Sequence, residues 1–301
     1  MFKHLLVPLD GSHLAEAALP AARFLARSFG AGVTLVHLME KGRPQTVHDQ
    51  PHLHDANEAA AYLSRVAASF PAGVPVDWHV HEDEVRRVAA SIVEHCMKEL
   101  HSDLVIMCAH GEGGTRRFVQ SSIAQQVTAF GTVPVLVLHA EQSSHREFAC
   151  NKVLMPVEAG QQHGDIFGIA EKFATSCAAV VRLISVAPTN GTIKGKWLQV
   201  GRLLPGATAE LLDLEADQLG EFLGSKASAL RAAGVTAETA VLRGDPGPVI
   251  SLDAEESRAD IIVMATHGKS GMSALWEGSV ASRVFAESKS PLLLVPVAVT
   301  P

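Results

Sequence analysis

Uninterrupted apolar runs alternate along this chain with stretches whose apolar residues recur at helical spacing. "HLLVPLD", "GVTLVHLM", "SDLVIMCA" and "TVPVLVLH" are rich in Val, Leu and Ile and bounded by Gly, Pro or Asp, which predicts short strands. Between them Ala17, Ala21, Leu25 and Ser28 follow a Ser12 cap, and Val85, Val88, Ala89, Ile92 and Val93 precede the fourth strand, which predicts amphipathic helices. Continuous apolar strands alternating with helices are the signature of parallel strands covered on both faces.

The same pattern then repeats. "HLLVPLDGS" (4–12) corresponds to "KVLMPVEAG" (152–160), "GVTLVHLM" to "AAVVRLISV", "HSDLVIMCAHG" to "RADIIVMATHG", and "TVPVLVLH" to "KSPLLLVPV". A repeat of about 150 residues in a 301-residue chain marks a duplicated domain. The expected organisation is one domain over 1–140, a polar linker "AEQSSHREFACN" from Ala140 to Asn151, and a second domain over 151–301. Irregular segments are expected after each second strand: "EKGRPQTVHDQPHLHDANE" in the first half and "APTNGTIKGKWLQVGRLLPGATAE" in the second. Each is read as a functional cover, a partner surface or a plain insertion.

Composition narrows the function. A formal charge of −7 without a basic domain argues against nucleic acid. Cys96, Cys108, Cys150 and Cys177 form no CxxC pair, which points to free thiols in a reducing compartment. No secretory signal pattern opens the chain, and "PLLLVPVAV" is too short to span a bilayer, so a cytoplasmic location without membrane contact is expected.

In an open parallel sheet, ligands settle beyond the carboxyl ends of the strands where the strand order reverses, here the tips of the first and fourth strands. In the second half Glu158 follows the first strand, Ala265-Thr266-His267-Gly268 follow the fourth, and nine residues later Gly278-Ser279 stand where a helix begins. Glycine lets a phosphate approach the backbone, and a helix start offers N–H groups and a positive dipole end. A carboxylate at the first tip suits ribose hydroxyls. Gly268 as a turn residue with Gly278-Ser279 as a helix cap is the purely structural alternative. "GKS" at 268–270 lacks the first glycine of a P-loop, and "GEGG" at 111–114 lacks the third glycine of a dinucleotide fingerprint. No nucleophile, base and orienting group occur together, so no catalytic residue is assigned.

At these residues the chain strongly resembles the universal stress protein family in its tandem form. Nucleotide-binding members carry an Asp after the first strand and G-x2-G-x9-G-S/T after the fourth, and bind ATP with a divalent cation. The second half matches all but the first glycine, which is Ala265, and replaces the Asp by Glu158; "RGDP" (243–246) before a helix is also typical. The resemblance implies an α/β protein of two doubly wound five-stranded parallel-sheet domains, with the last strands of the two domains paired as in a family homodimer. It implies a second site formed by Pro156, Val157, Glu158, Val186, Met264, Ala265, His267, Gly268, Gly278, Ser279 and Val280, taking ATP with Mg2+. The first half keeps Asp10 but reads Cys108-Ala109-His110-Gly111, nine residues, then Ser121-Ser122, so two of three glycines are gone and a weak or empty site is expected.

Twelve of the fifteen histidines lie within the first 140 residues. His79 and His81 in "HVH" share one face of a strand, and His48, His52 and His54 in the preceding loop could complete a zinc site with nitrogen ligands. A solvated His-rich loop and surface strand, or a pH-responsive one, fits the same residues. Three readings therefore stand: a stress-response module binding ATP or a related adenine nucleotide; an interaction or scaffold protein using its clefts or loops for a partner or small ligand; and a zinc-binding sensor. Self-association and a regulatory protein partner are open for each.

Overall fold

The computed structural model describes residues 2–42, 46–47, 50–51, 53, 55–109, 123–130, 133–139, 147–160, 166–193, 203–267 and 279–297. The chain divides into two compact units, one of residues 1–149 with 265–277 and 291–301, the other of residues 150–264 with 278–290.

In the first half the elements run β1 (His4–Pro8), α1 (His13–Glu16), α2 (Leu19–Phe29), β2 (Gly32–Glu40), a hairpin of β3 (Thr46–Val47) and β4 (Gln50–Pro51), α3 (Ala56–Ala68), β5 (Val76–Val85), α4 (Val88–Glu94), β6 (Leu104–Ala109), α5 (Ile123–Phe130) and β7 (Val135–His139). The second half runs β8 (Lys152–Pro156), α6 (Ile166–Cys177), β9 (Val180–Ala187), α7 (Pro205–Ala232), β10 (Ala237–Arg243), α8 (Pro246–Glu256), β11 (Ile261–His267), α9 (Val280–Glu287) and β12 (Leu292–Val297).

The first unit orders its strands β5-β2-β1-β6-β7, all parallel, with β12 added antiparallel on β7. The second orders β10-β9-β8-β11, also parallel. In each, the order reverses between the first and fourth strands of its half, so the tips of β1 and β6, and of β8 and β11, form the switch points. The expected pairing of last strands is present: Leu292, Leu293 and Leu294 face Val137, Leu136 and Val135.

Burial follows the apolar runs. Leu5, Leu6 and Val7 of β1 and Val153, Leu154 and Met155 of β8 are wholly excluded from solvent, as strands covered on both faces require. The start of each first strand is tied to the fourth-strand landmark. Asp103 accepts from the N–H groups of Lys3 and His4 at 2.7 and 3.0 Å, and Asp260 from those of Asn151 and Lys152 at 2.6 and 3.0 Å.

Three readings change in detail. The helix expected after Ser12 is two: Ser12 caps α1, and α2 restarts with Pro20 in its first turn, where a missing N–H costs nothing. Val85 ends β5, paired with Glu40 across an irregularity in register, so α4 begins at Val88. The segment read as irregular in the second half is helical from Pro205, because α7 reaches back over "PGATAE" to bury Thr208 and Leu212.

Candidate functional site

The two switch points are built alike and finished differently. In the first half the N–H of Leu9 donates to the Val36 carbonyl at 2.9 Å, and the buried His37 Nδ1–H donates to the Leu9 carbonyl at 2.8 Å. In the second half Val157 N–H donates to Ile184 at 2.8 Å, and the buried Ser185 hydroxyl donates to the Val157 carbonyl at 2.7 Å. Each polar side chain on the second strand satisfies the first carbonyl past the end of the first strand, which fixes where the following carboxylate starts.

Past that point the halves diverge. Asp10 Oδ1 accepts from the Ser12 N–H at 2.9 Å and the Ser12 hydroxyl at 2.6 Å, so one carboxylate oxygen is committed to the turn. Gly11 adopts φ +90°, and a Cβ there would meet the Leu53 side chain at 3.0 to 3.4 Å, so Leu53 lies directly over it. Leu53 is itself buried, and Gln50 Oε1 accepts from the His13 N–H at 2.6 Å, which places both residues at the tip. Burial, then the Asp10 carboxylate, pushes the Cys108 thiol up to about 12, so it stays protonated. Burial and the carboxylates of Glu16 and Asp10 raise the buried Tyr62 phenol as well. Leu53, Tyr62 and Cys108 thus crowd the first tip.

At the second tip Glu158 is exposed, and the Ser12 position is taken by Gly160, which brings no hydroxyl. Pro156 ends β8, Val157 is buried beside it, Val186 lies on β9, and Met264 is buried on β11. Ala265 and the backbone of His267 complete β11. Ser279 is the N-cap of α9: its hydroxyl accepts from the Ser282 N–H at 3.0 Å, and Val280 opens the helix. Within an α-helix the N–H groups of its first turn have no carbonyl one turn back, so Val280 and Ala281 present theirs at the helix start.

The RGDP run positions that start. Gly244 adopts φ +144° and passes so close to Val249 that a Cβ would lie 2.7 Å from its methyl, so only glycine fits. Asp245 then leads into α8 and holds Arg283 of α9 in a two-point ion pair, one contact between Oδ2 and Nη1, the other between Oδ1 and Nη2 at 2.9 Å. This hydrogen-bonded partner raises the Arg283 guanidinium above its ordinary value. Reasoning from sequence missed Arg283, for which only its place one helical turn past Ser279 was a signal.

Gly268, Gly278, Gly111, Ser121, Ser122, His48, His52 and His54 lie outside the described residues. His79 and His81 share a face of β5, facing Val36 and Leu38 of β2. They are joined by a residue the sequence reading did not select, His95, from the π-helical turn His95–Glu99 that continues α4.

Comparison with known proteins agrees with this architecture. The Universal stress protein family matches residues 1–139 and again 150–296. The chain belongs to the universal stress protein family, with two copies in tandem. Universal stress protein MJ0531 of Methanocaldococcus jannaschii is 32% identical over 128 residues, 42% of this chain and 68% of that protein. Universal stress protein Sll1654 of Synechocystis sp. is 29% identical over 138 residues, 46% of this chain and 86% of that protein. A universal stress protein from Archaeoglobus fulgidus superposes with a TM-score of 0.67 at 14% identity, over 97% of this chain and 96% of its own, a likeness of fold. Among the described residues no helix is long and apolar enough to cross a membrane.

Proposed function

We propose that this protein is a stress-response module that binds ATP or a related adenine nucleotide at the second-half switch point, and that it acts through binding rather than turnover. The observation that supports this most is the coincidence of sequence spacing with helix geometry. Nine residues separate Gly268 from Gly278-Ser279, and Ser279 is the residue at which α9 starts. Phosphates would meet the N–H groups of Val280 and Ala281 and the Ser279 hydroxyl, with Gly268 and Gly278 keeping the backbone clear of side chains. The exposed Glu158, at the end of β8, would accept from ribose hydroxyls, and Val157, Val186 and Met264 would line the base. Mg2+ would bind chiefly through the phosphates and water, as this cation prefers, which calls for no dedicated carboxylate cage.

The first half would carry no nucleotide. Leu53 over Gly11, the committed Asp10 oxygen and the protonated Cys108 support this reading, with the two lost glycines of its motif. We assign a cytoplasmic location and no nucleic-acid partner on the charge and composition given above. Replacing Gly278 by Val is the direct test: MgATP affinity should fall at least about 100-fold with the thermal midpoint unchanged, whereas an unaltered affinity would remove Gly278 from the site.

A further inference from the structure

We propose that His79, His81 and His95 form a binding site for a zinc-class dication, with Glu99 orienting His95 from behind. The site is independent of the nucleotide reading and draws its ligands from β5 and the π-helical turn that follows α4.

One nitrogen from each of the three imidazoles lies within 4.8 Å of the others. Ring centroids are 4.5 Å apart for His81 and His95 and 5.4 Å for His79 and His95. His95 is 3% exposed, and its Nδ1 lies 2.7 Å from Glu99 Oε2. A carboxylate only accepts, so Nδ1 carries the proton and Nε2 presents its lone pair toward His81 Nδ1, 2.9 Å away. This is the carboxylate–histidine arrangement that fixes the tautomer of a metal-bound imidazole. Among the described residues the buried Nε2 of His79 has no hydrogen-bond partner, a costly state that a metal ion would relieve.

The π-helical geometry matters here. Leu100 N–H reaches back five residues to the His95 carbonyl at 2.9 Å, and such bulges recur at functional sites.

Metal entry follows simply. Without metal, His81 Nδ1–H donates to His95 Nε2. On binding, that proton leaves Nδ1 through solvent for Nε2 of the same ring, and both freed lone pairs turn to the ion with no net change of charge. Tetrahedral Zn–N bonds of 2.0–2.1 Å require nitrogens roughly 3.3 Å apart, so the His81–His95 pair opens by a few tenths of an ångström. Three histidines leave the fourth position to water. Three imidazole nitrogens with no carboxylate oxygen touching the ion favour zinc over Mg2+ or Ca2+.

The test uses the full chain, free of any affinity tag and stripped with a chelator, titrated with Zn2+ against a chromophoric competitor and with Co2+ by visible absorption. One ion per chain is expected, with tetrahedral Co2+ bands. His79→Gln and His95→Gln should each weaken Zn2+ by at least about 10-fold, and Glu99→Gln by about 10-fold, with the circular dichroism spectrum unchanged. If His95→Gln unfolds, His79→Gln and Glu99→Gln carry the test, since both are less buried. Absence of binding at micromolar Zn2+, undiminished affinity in His79→Gln, or loss only when His48, His52 and His54 are replaced together would overturn the assignment.

Discussion

Glu158 and Asp10 are the same landmark in different surroundings. Asp10 is short and followed by Gly11 and Ser12, so its carboxylate folds back onto its own turn and accepts twice from Ser12. Glu158 is one methylene longer and is followed by Ala159 and Gly160, which supply no hydroxyl, and it stands exposed at the end of β8. Ribose contact is proposed for Glu158. Glu158→Ala should therefore weaken MgATP by about tenfold, the worth of one hydrogen bond to a charged group, while Asp10→Ala leaves nucleotide affinity unchanged and lowers stability. Calorimetry on the two variants separates them. The glycine spacing of the second half and the loss of glycine in the first were legible from residue types alone. Leu53 was not, because its place over Gly11 is a contact between residues far apart in sequence that no local pattern announces. His95 was missed for the same reason: it lies 14 residues beyond His81, and only a helical turn brings it back.

At the scale of elements, the start of α9 is held by a pair of charges from two helices. Asp245 follows the Gly244 turn into α8 and grips Arg283 at two points, both side chains about one-third exposed. Partial exposure screens the pair, so a double-mutant cycle of Asp245→Ala and Arg283→Ala should return a coupling of about 1 kcal/mol in denaturant unfolding. Because the same pair orients the helix bearing Ser279, Asp245→Ala should also weaken MgATP by several-fold. An unchanged affinity would mean that α9 finds its place without it. Most elements were readable in advance, since β-branched and aliphatic runs of five to nine residues leave little alternative to buried strands. The boundaries were harder. Helical spacing carried the reading through Ala17 and Ala18 although Pro20 restarts the helix, and the Gly and Pro of "LLPGATAE" suggested a loop where Pro205 sits harmlessly in the first turn of α7.

For the whole molecule, duplication sets the plan and the two halves differ at their switch points. The repeat was visible as landmarks in order, and the pairing of β7 with β12 follows from the family resemblance rather than from any local pattern. A global consequence concerns acid stability. Burial lowers His139, at the end of β7, to about 4. The folded protein thus keeps this imidazole neutral while the unfolded chain takes up a proton below about pH 6.5. Its contribution is fully present above that value and is lost progressively as pH falls toward 4, amounting to about 2 kcal/mol between pH 7 and pH 5. Unfolding free energies at both values should show His139→Gln losing less stability on acidification than the parent. An identical pH dependence would place the titrating group elsewhere.

One half of the duplication is proposed to retain a nucleotide site and the other to have given it up. Calorimetric titration of nucleotide-stripped protein with MgATP tests it directly. One site per chain is expected, abolished by Gly278→Val and unaffected by Asp10→Ala. Two equivalent sites, or no heat and no saturation at millimolar ATP, would contradict it, the latter result directing attention to the clefts as surfaces for a partner.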